Sequence, residues 1–140
     1  PVRDFFFTSK SLCMKVLLIA TVVQFLTLSV FAQTPISNTK WKGHIEFPQA
    51  LDIVLEFKND SLITTSAEGM ELEVMFFSQA KDTLKLRKLK GQSPCDYTTE
   101  GIYILNFTNS GDTVIFYPIT DHCKARATSI SPVVYSRVKD

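Results

Sequence analysis

Two histidines, three cysteines and a scatter of carboxylates are the groups in this 140-residue chain that could do chemistry. Read linearly, Asp121-His122-Cys123 offers an acid, a base and a nucleophile. On an extended strand, however, adjacent side chains point to opposite faces, so the three do not converge on one substrate. His44 falls between Lys42 and Glu46 on the polar parity of an alternating run, which is the setting of a solvated side chain. Two histidines without neighbouring thiolates fall short of a tetrahedral metal site. Glu71 and Glu73 share one strand face, as paired glycosidase carboxylates would, but their setting is solvent-facing alternation and a charged outer face. We therefore expect no catalytic residue, no metal, no cofactor and no enzyme activity.

Cys95 and Cys123 have another use. Between them lie GIYILNF (101–107) and DTVIFYP (112–118), two apolar β-type runs joined by Thr108-Asn109-Ser110-Gly111. Asn, Ser and Gly tolerate turn conformations, so this is the clearest hairpin in the chain. Cys95 and Cys123 are centred on residue 109, inside that turn, and extending the hairpin brings them opposite each other. We expect a disulfide rather than two separate buried thiols. A CxxC motif is absent from the sequence.

The compartment follows from the start of the chain. Met14-Lys15 precedes VLLIATVVQFLTLSVFA, an apolar run that exits at Val30-Phe31-Ala32 with small residues at the first and third positions before Gln33. A basic start, an apolar centre and that exit describe a secretory signal peptide over 14–32, with a membrane anchor as the alternative. Residues 1–13, including Cys13, read as translation upstream of a start at Met14, or else as a long leading region. The mature domain is expected at 33–140, secreted or periplasmic, touching a membrane only through the signal segment.

Charge then excludes a function class. Residues 1–32 hold Arg3, Lys10 and Lys15 against Asp4, leaving 12 basic and 13 acidic residues in 33–140. No basic surface for nucleic acid remains. Lys85, Arg87, Lys88 and Lys90 form a local cluster beside Lys81 and Lys124, and cross-strand pairing with Glu71 and Glu73 accounts for it. At 45% hydrophobic and 21% charged, the chain is neither disordered nor fibrous.

The elements that would position these groups are short strands. Trp41, Gly43, Ile45 and Phe47 alternate with polar residues, as do Leu51, Ile53, Leu55 and Phe57 after a break at Pro48-Gln49-Ala50. Further strands are expected at 61–65, 70–77 and 83–87, with a bulge near Arg87-Lys88 because Leu89 is out of phase. The hairpin follows, then a last strand or pair over Ala125 to Val138, interrupted at Ser131-Pro132. No 3.6-residue period lasts three turns, so almost no helix is expected. Short connections favour an all-β antiparallel meander of about eight strands closed into a small barrel. A β-sandwich is the alternative.

These residues resemble the lipocalin-like, or calycin, small barrels, in particular short exported bacterial ones. Trp41-Lys42-Gly43 is similar to the family's Trp near a Gly on the first strand, and Thr120-Asp121-His122 matches in part its Thr-Asp-aromatic turn. The resemblance implies a structural role for Trp41 and Gly43 and for a late Arg stacked on the Trp. That Arg is Arg126 or Arg137, with Arg126 preferred. It also implies a non-catalytic protein that binds a small hydrophobic molecule.

Candidates for the barrel interior are Phe57, Leu72, Val74, Phe76, Leu86, Tyr103, Leu105 and Phe116. They either line a pocket for that ligand or simply fill the core. The alternative function is a secreted β-domain acting through surface loops such as 48–50, 66–69 or 92–96, as an inhibitor or envelope interaction protein. Both faces are apolar at 102–107 and 114–117, which could instead mark a partner surface.

Overall fold

Short stretches rich in apolar residues, some alternating with polar ones and some apolar on both faces, become the eight strands. The computed structural model describes residues 35–46 and 49–139. The expected upstream stretch 1–13, the export segment 14–32, and Phe47 and Pro48 lie outside the described residues. The strands are β1 (Thr39–Ile45), β2 (Leu51–Lys58), β3 (Ser61–Ser66), β4 (Glu71–Ala80), β5 (Thr83–Gly91), β6 (Glu100–Thr108), β7 (Thr113–Asp121) and β8 (Val134–Arg137). Each pairs antiparallel with the next, and β8 returns to β1 to close a barrel. The fold is the all-β meander barrel and not a sandwich.

The two ends of the barrel differ. Lys58 faces Ser61 and Ala80 faces Thr83, so Asn59-Asp60 and Lys81-Asp82 are two-residue turns. A 3-10 turn at Asn109–Gly111 joins β6 to β7 at the same, tight-turn end. Asn59, Lys81, Asn109 and Ser110 all take positive φ there. The longer connections gather at the other, loop end. One of them carries a helix, α1 (Lys124–Ile130), between β7 and β8.

That helix corrects the expectation of strand after Ala125. Lys-Ala-Arg-Ala is a run of strong helix formers, and the buried positions of α1 are Arg126 and Ile130, four residues apart. With only two turns and a charged residue on its buried face, α1 leaves no hydrophobic period to read. The interruption at Ser131-Pro132 is where α1 ends and the chain turns into β8.

Inner-face residues segregate along the barrel axis. Towards the tight turns they are apolar and largely aromatic: Trp41, Phe57, Leu62, Phe77, Leu84, Leu105, Val114 and Phe116 are all buried. Their rings touch across the interior, with centroids 5.0 Å apart for Phe57 and Phe77, 5.1 Å for Phe116 and Tyr135, and 5.9 Å for Trp41 and Phe107. Ile36 plugs this end, fully buried, and its N–H donates to Gln79 Oε1 at 2.8 Å. Trp41 Nε1 donates to Thr39 Oγ1 at 2.6 Å, and that hydroxyl donates to the Ile36 carbonyl.

Two bulges decide which residues turn inward on β4 and β5. Thr64 faces Glu73 but Thr65 faces Glu71, so Leu72 is skipped and Glu71 and Glu73 fall on opposite faces instead of sharing one. Met75 faces Lys88 but Val74 faces Lys90, so Leu89 is the bulged residue of β5, within two positions of the expected site. Five of the eight expected interior residues (Phe57, Leu86, Tyr103, Leu105 and Phe116) are buried in the core. Leu72 is partly buried against the core from its bulge, while Val74 and Phe76 stand on the outer face, where Arg87 lies 5.6 Å from the Phe76 ring centroid. Met75 and Phe77 take their place inside. Apart from Glu73, both parities of 72–77 are apolar, and the pairing of Leu62 with Met75 selects between them.

Candidate functional site

The loop end is where polar groups enter the interior. Asp121 ends β7 and its side chain is wholly buried. Arg126 Nε donates to Oδ2 at 2.7 Å and Nη2 to Oδ1 at 2.8 Å, a two-pronged pair. The Cys123 N–H donates to Oδ1 at 2.8 Å, and the Tyr103 hydroxyl donates to Oδ2. Burial alone would raise the Asp121 carboxyl. The hydrogen bonds from Arg126, Tyr103 and the Cys123 amide, with the Arg126 charge, instead hold it below the usual carboxylate value. Burial, then the bond to Asp121, pushes the Tyr103 phenol far up.

Gly101 makes this arrangement possible. It faces Asp121 across β6 and β7, and a Cβ there would fall on the Asp121 carboxylate and within 2.9 Å of the Tyr103 ring. Gly43 plays the same part on β1, since its Cβ would lie 2.6 Å from the Tyr135 ring.

The 92–99 loop covers this end and is tied at several points. Cys95 and Cys123 form a disulfide with Cα atoms 5.3 Å apart. The pairing agrees with the expectation, but the route to it does not. The β6–β7 ladder stops at Gly101 opposite Asp121, six residues after Cys95 and two before Cys123. The bridge thus joins a loop to the start of α1 rather than two facing strand positions. Arg126 Nη2 also donates to the Thr99 carbonyl at 3.1 Å.

Under that loop lies Lys88, on the inner face of β5 and only 4% exposed. Its Nζ donates to the Ser93 carbonyl at 2.6 Å and sits 5.0 Å from the Tyr97 ring centroid. Ser93 Oγ in turn donates to Glu73 Oε1 at 2.8 Å. Among the described residues, three buried side-chain polar atoms have no hydrogen-bond partner: Thr64 Oγ1, Arg126 Nη1 and the Tyr135 hydroxyl. Burial raises the Tyr135 phenol.

The sequence reading placed Lys88 and Glu73 outside. The contrary signal was present, because Leu84, Leu86 and Lys88 are in phase, and Leu89 disguised it. The rest of the basic run behaves as expected, with Lys90 2.7 Å from Glu71 and Lys85 3.4 Å from Glu100. Arg126 does not stack on Trp41. Arg137 does, 5.7 Å from the ring centroid, because β8 pairs Arg137 with Trp41 while α1 carries Arg126 to Asp121.

His44 is exposed on the outer face, its Nδ1 2.6 Å from Asp52 and its Nε2 3.5 Å from Glu46. An open groove of about 380 Å³ runs at the tight-turn end between β1, the end of β2 and residues 137–139. Its rim includes Lys40 and Glu56, which pair with each other at 3.7 Å. Among the described residues, no cluster of three His, Cys, Asp or Glu side chains could hold a metal ion, and no helix is long and apolar enough to cross a membrane.

Compared with known proteins, the chain matches no family model, no curated protein and no solved structure.

Proposed function

We propose that this protein is an exported, non-catalytic, lipocalin-like barrel that binds a small hydrophobic molecule bearing a polar head, seated in the loop-end half of its interior. The observation that carries this reading is the set of buried, unpartnered polar atoms of Thr64, Arg126 and Tyr135. Buried hydroxyl groups and guanidinium N–H groups without partners are costly, about 1–3 kcal/mol each, and a bound polar group offsets that cost. The aromatic contacts fill the other half, so the occupant is small. Export is supported by the apolar segment at 14–32 and by the Cys95–Cys123 bridge, since disulfides persist in oxidising compartments.

The test is native mass spectrometry of the protein purified from its own host, followed by organic extraction. A discrete bound mass released by solvent is the expected result. A bare protein overturns the reading in favour of a surface function.

One observation keeps that second reading open. The outer face of β7 and β8 carries Tyr117, Ile119 and Val134, which are 44%, 59% and 55% exposed. Ile104 faces Tyr117, and Ile115 faces Val134, so the apolar face continues across three strands. A patch of this kind is a partner surface on many proteins.

A further inference from the structure

Lys88 differs from the lysines of the barrel that carry an ion pair. Lys40, Lys85, Lys90 and Lys139 are exposed, and each has a carboxylate oxygen within 3.7 Å. Lys88 is the buried one, and among the described residues no carboxylate comes within ion-pair distance of its Nζ. Burying an ammonium without a counter-ion is unfavourable. One carbonyl and one aromatic face do not exhaust its three donors.

The surroundings select the missing partner. Glu73, the acidic side chain nearest in the network, is already engaged by Ser93 Oγ and reaches Lys88 only through that residue. Thr64 faces Glu73 on the next strand and presents its unpartnered hydroxyl from the inner face. Met75 faces Lys88, and Leu86 precedes it on the same side, both buried and apolar. A single ammonium, with Nε and Nη2 of Arg126 already bonded to Asp121, suits one negative charge on a small group.

We propose that Lys88 is the seat of a ligand carboxylate, with the ligand's apolar body against Met75 and Leu86 and the 92–99 loop closing over the head. This rests on the binding reading above and names the chemistry of the head group.

The test compares octanoate with octanol, probes of equal length that differ in the charged head, by isothermal titration of the intact disulfide-bonded protein. The expected result is that wild type prefers octanoate by at least about tenfold. Lys88→Met, which fills the same space without charge and so stays folded, abolishes that preference while keeping octanol binding. Lys85→Met, an exposed change on the same strand, keeps the preference. Equal binding of both probes by wild type, or a preference that survives in Lys88→Met, overturns the assignment of Lys88 and leaves the binding reading standing. Loss of the preference in Lys85→Met as well overturns it too, since diffuse surface charge is then responsible. Failure of both probes to bind wild type overturns the binding reading itself.

Discussion

Replacing Asp121 by Asn tests whether the loop end is held by one buried carboxylate. The side chains of Arg126 and Asp121 are 3% and 0% exposed, so neither charge is screened by solvent. Four hydrogen bonds converge on the two carboxylate oxygens, two from Arg126, one from Tyr103 and one from the Cys123 amide. Asn keeps the shape but turns an N–H₂ toward at least one of those donors and leaves the guanidinium uncompensated. Breaking a buried pair from one side costs about 3–5 kcal/mol. For a domain of this size that corresponds to a fall in Tm of roughly 15–30 °C.

Urea unfolding of Asp121→Asn, Arg126→Met and the double variant measures the effect and its coupling. The double variant should lose at least about 2 kcal/mol less than the sum of the singles, because each single strands the other partner. The pH dependence has a defined sign. The folded Asp121 pKa lies below the unfolded value, so its contribution is full above the unfolded pKa and is lost as pH falls through the folded one. A single-variant loss under about 1 kcal/mol, or strict additivity, would refute the argument that this pair holds the loop end.

Other perturbations have equally definite outcomes. Cys95→Ser with Cys123→Ser opens a bridge of sequence separation 28, which should cost about 3.5 kcal/mol in urea unfolding and match the effect of reductant on wild type. Gly43→Ala forces a Cβ into the Tyr135 ring and should cost about 1–3 kcal/mol by overpacking, read as a lower urea midpoint at unchanged slope. The bond to Asp52 raises the His44 pKa above 6.5, and NMR titration should show it fall towards that value in Asp52→Asn. The stability His44 contributes is present below its unfolded pKa and lost as pH rises through the folded one.

What the sequence makes legible follows from where hydropathy is decisive. β1 and β2 have clear inward residues, such as Trp41, Ile53 and Leu55, and their parity reads correctly, whereas the β6–β7 hairpin is apolar on both faces. β4 has two apolar faces, and its inward set depends on a pairing with β3 that no local pattern encodes. The disulfide is legible from cysteine count and turn position, whereas the loop-to-helix path it takes is not. Most of the candidate site was hidden because its members are charged. Lys88 and Glu73 look like surface residues until bulges bring them inward, and a two-turn helix with no hydrophobic period carries Arg126 to Asp121.

The closure of the barrel depends on its shortest strand. β8 meets β1 through Trp41–Arg137 and Lys42–Ser136, and β7 through three residue pairs, far fewer than the neighbouring ladders. Pulled from its C-terminal end, the cylinder would therefore tear along this line first, like fabric at its narrowest hem. The stack of Arg137 on Trp41 is one stitch across that line. Once it parts, the remaining strands form an open ribbon with β1 and β7 as bare selvedges, ready to pair with another chain.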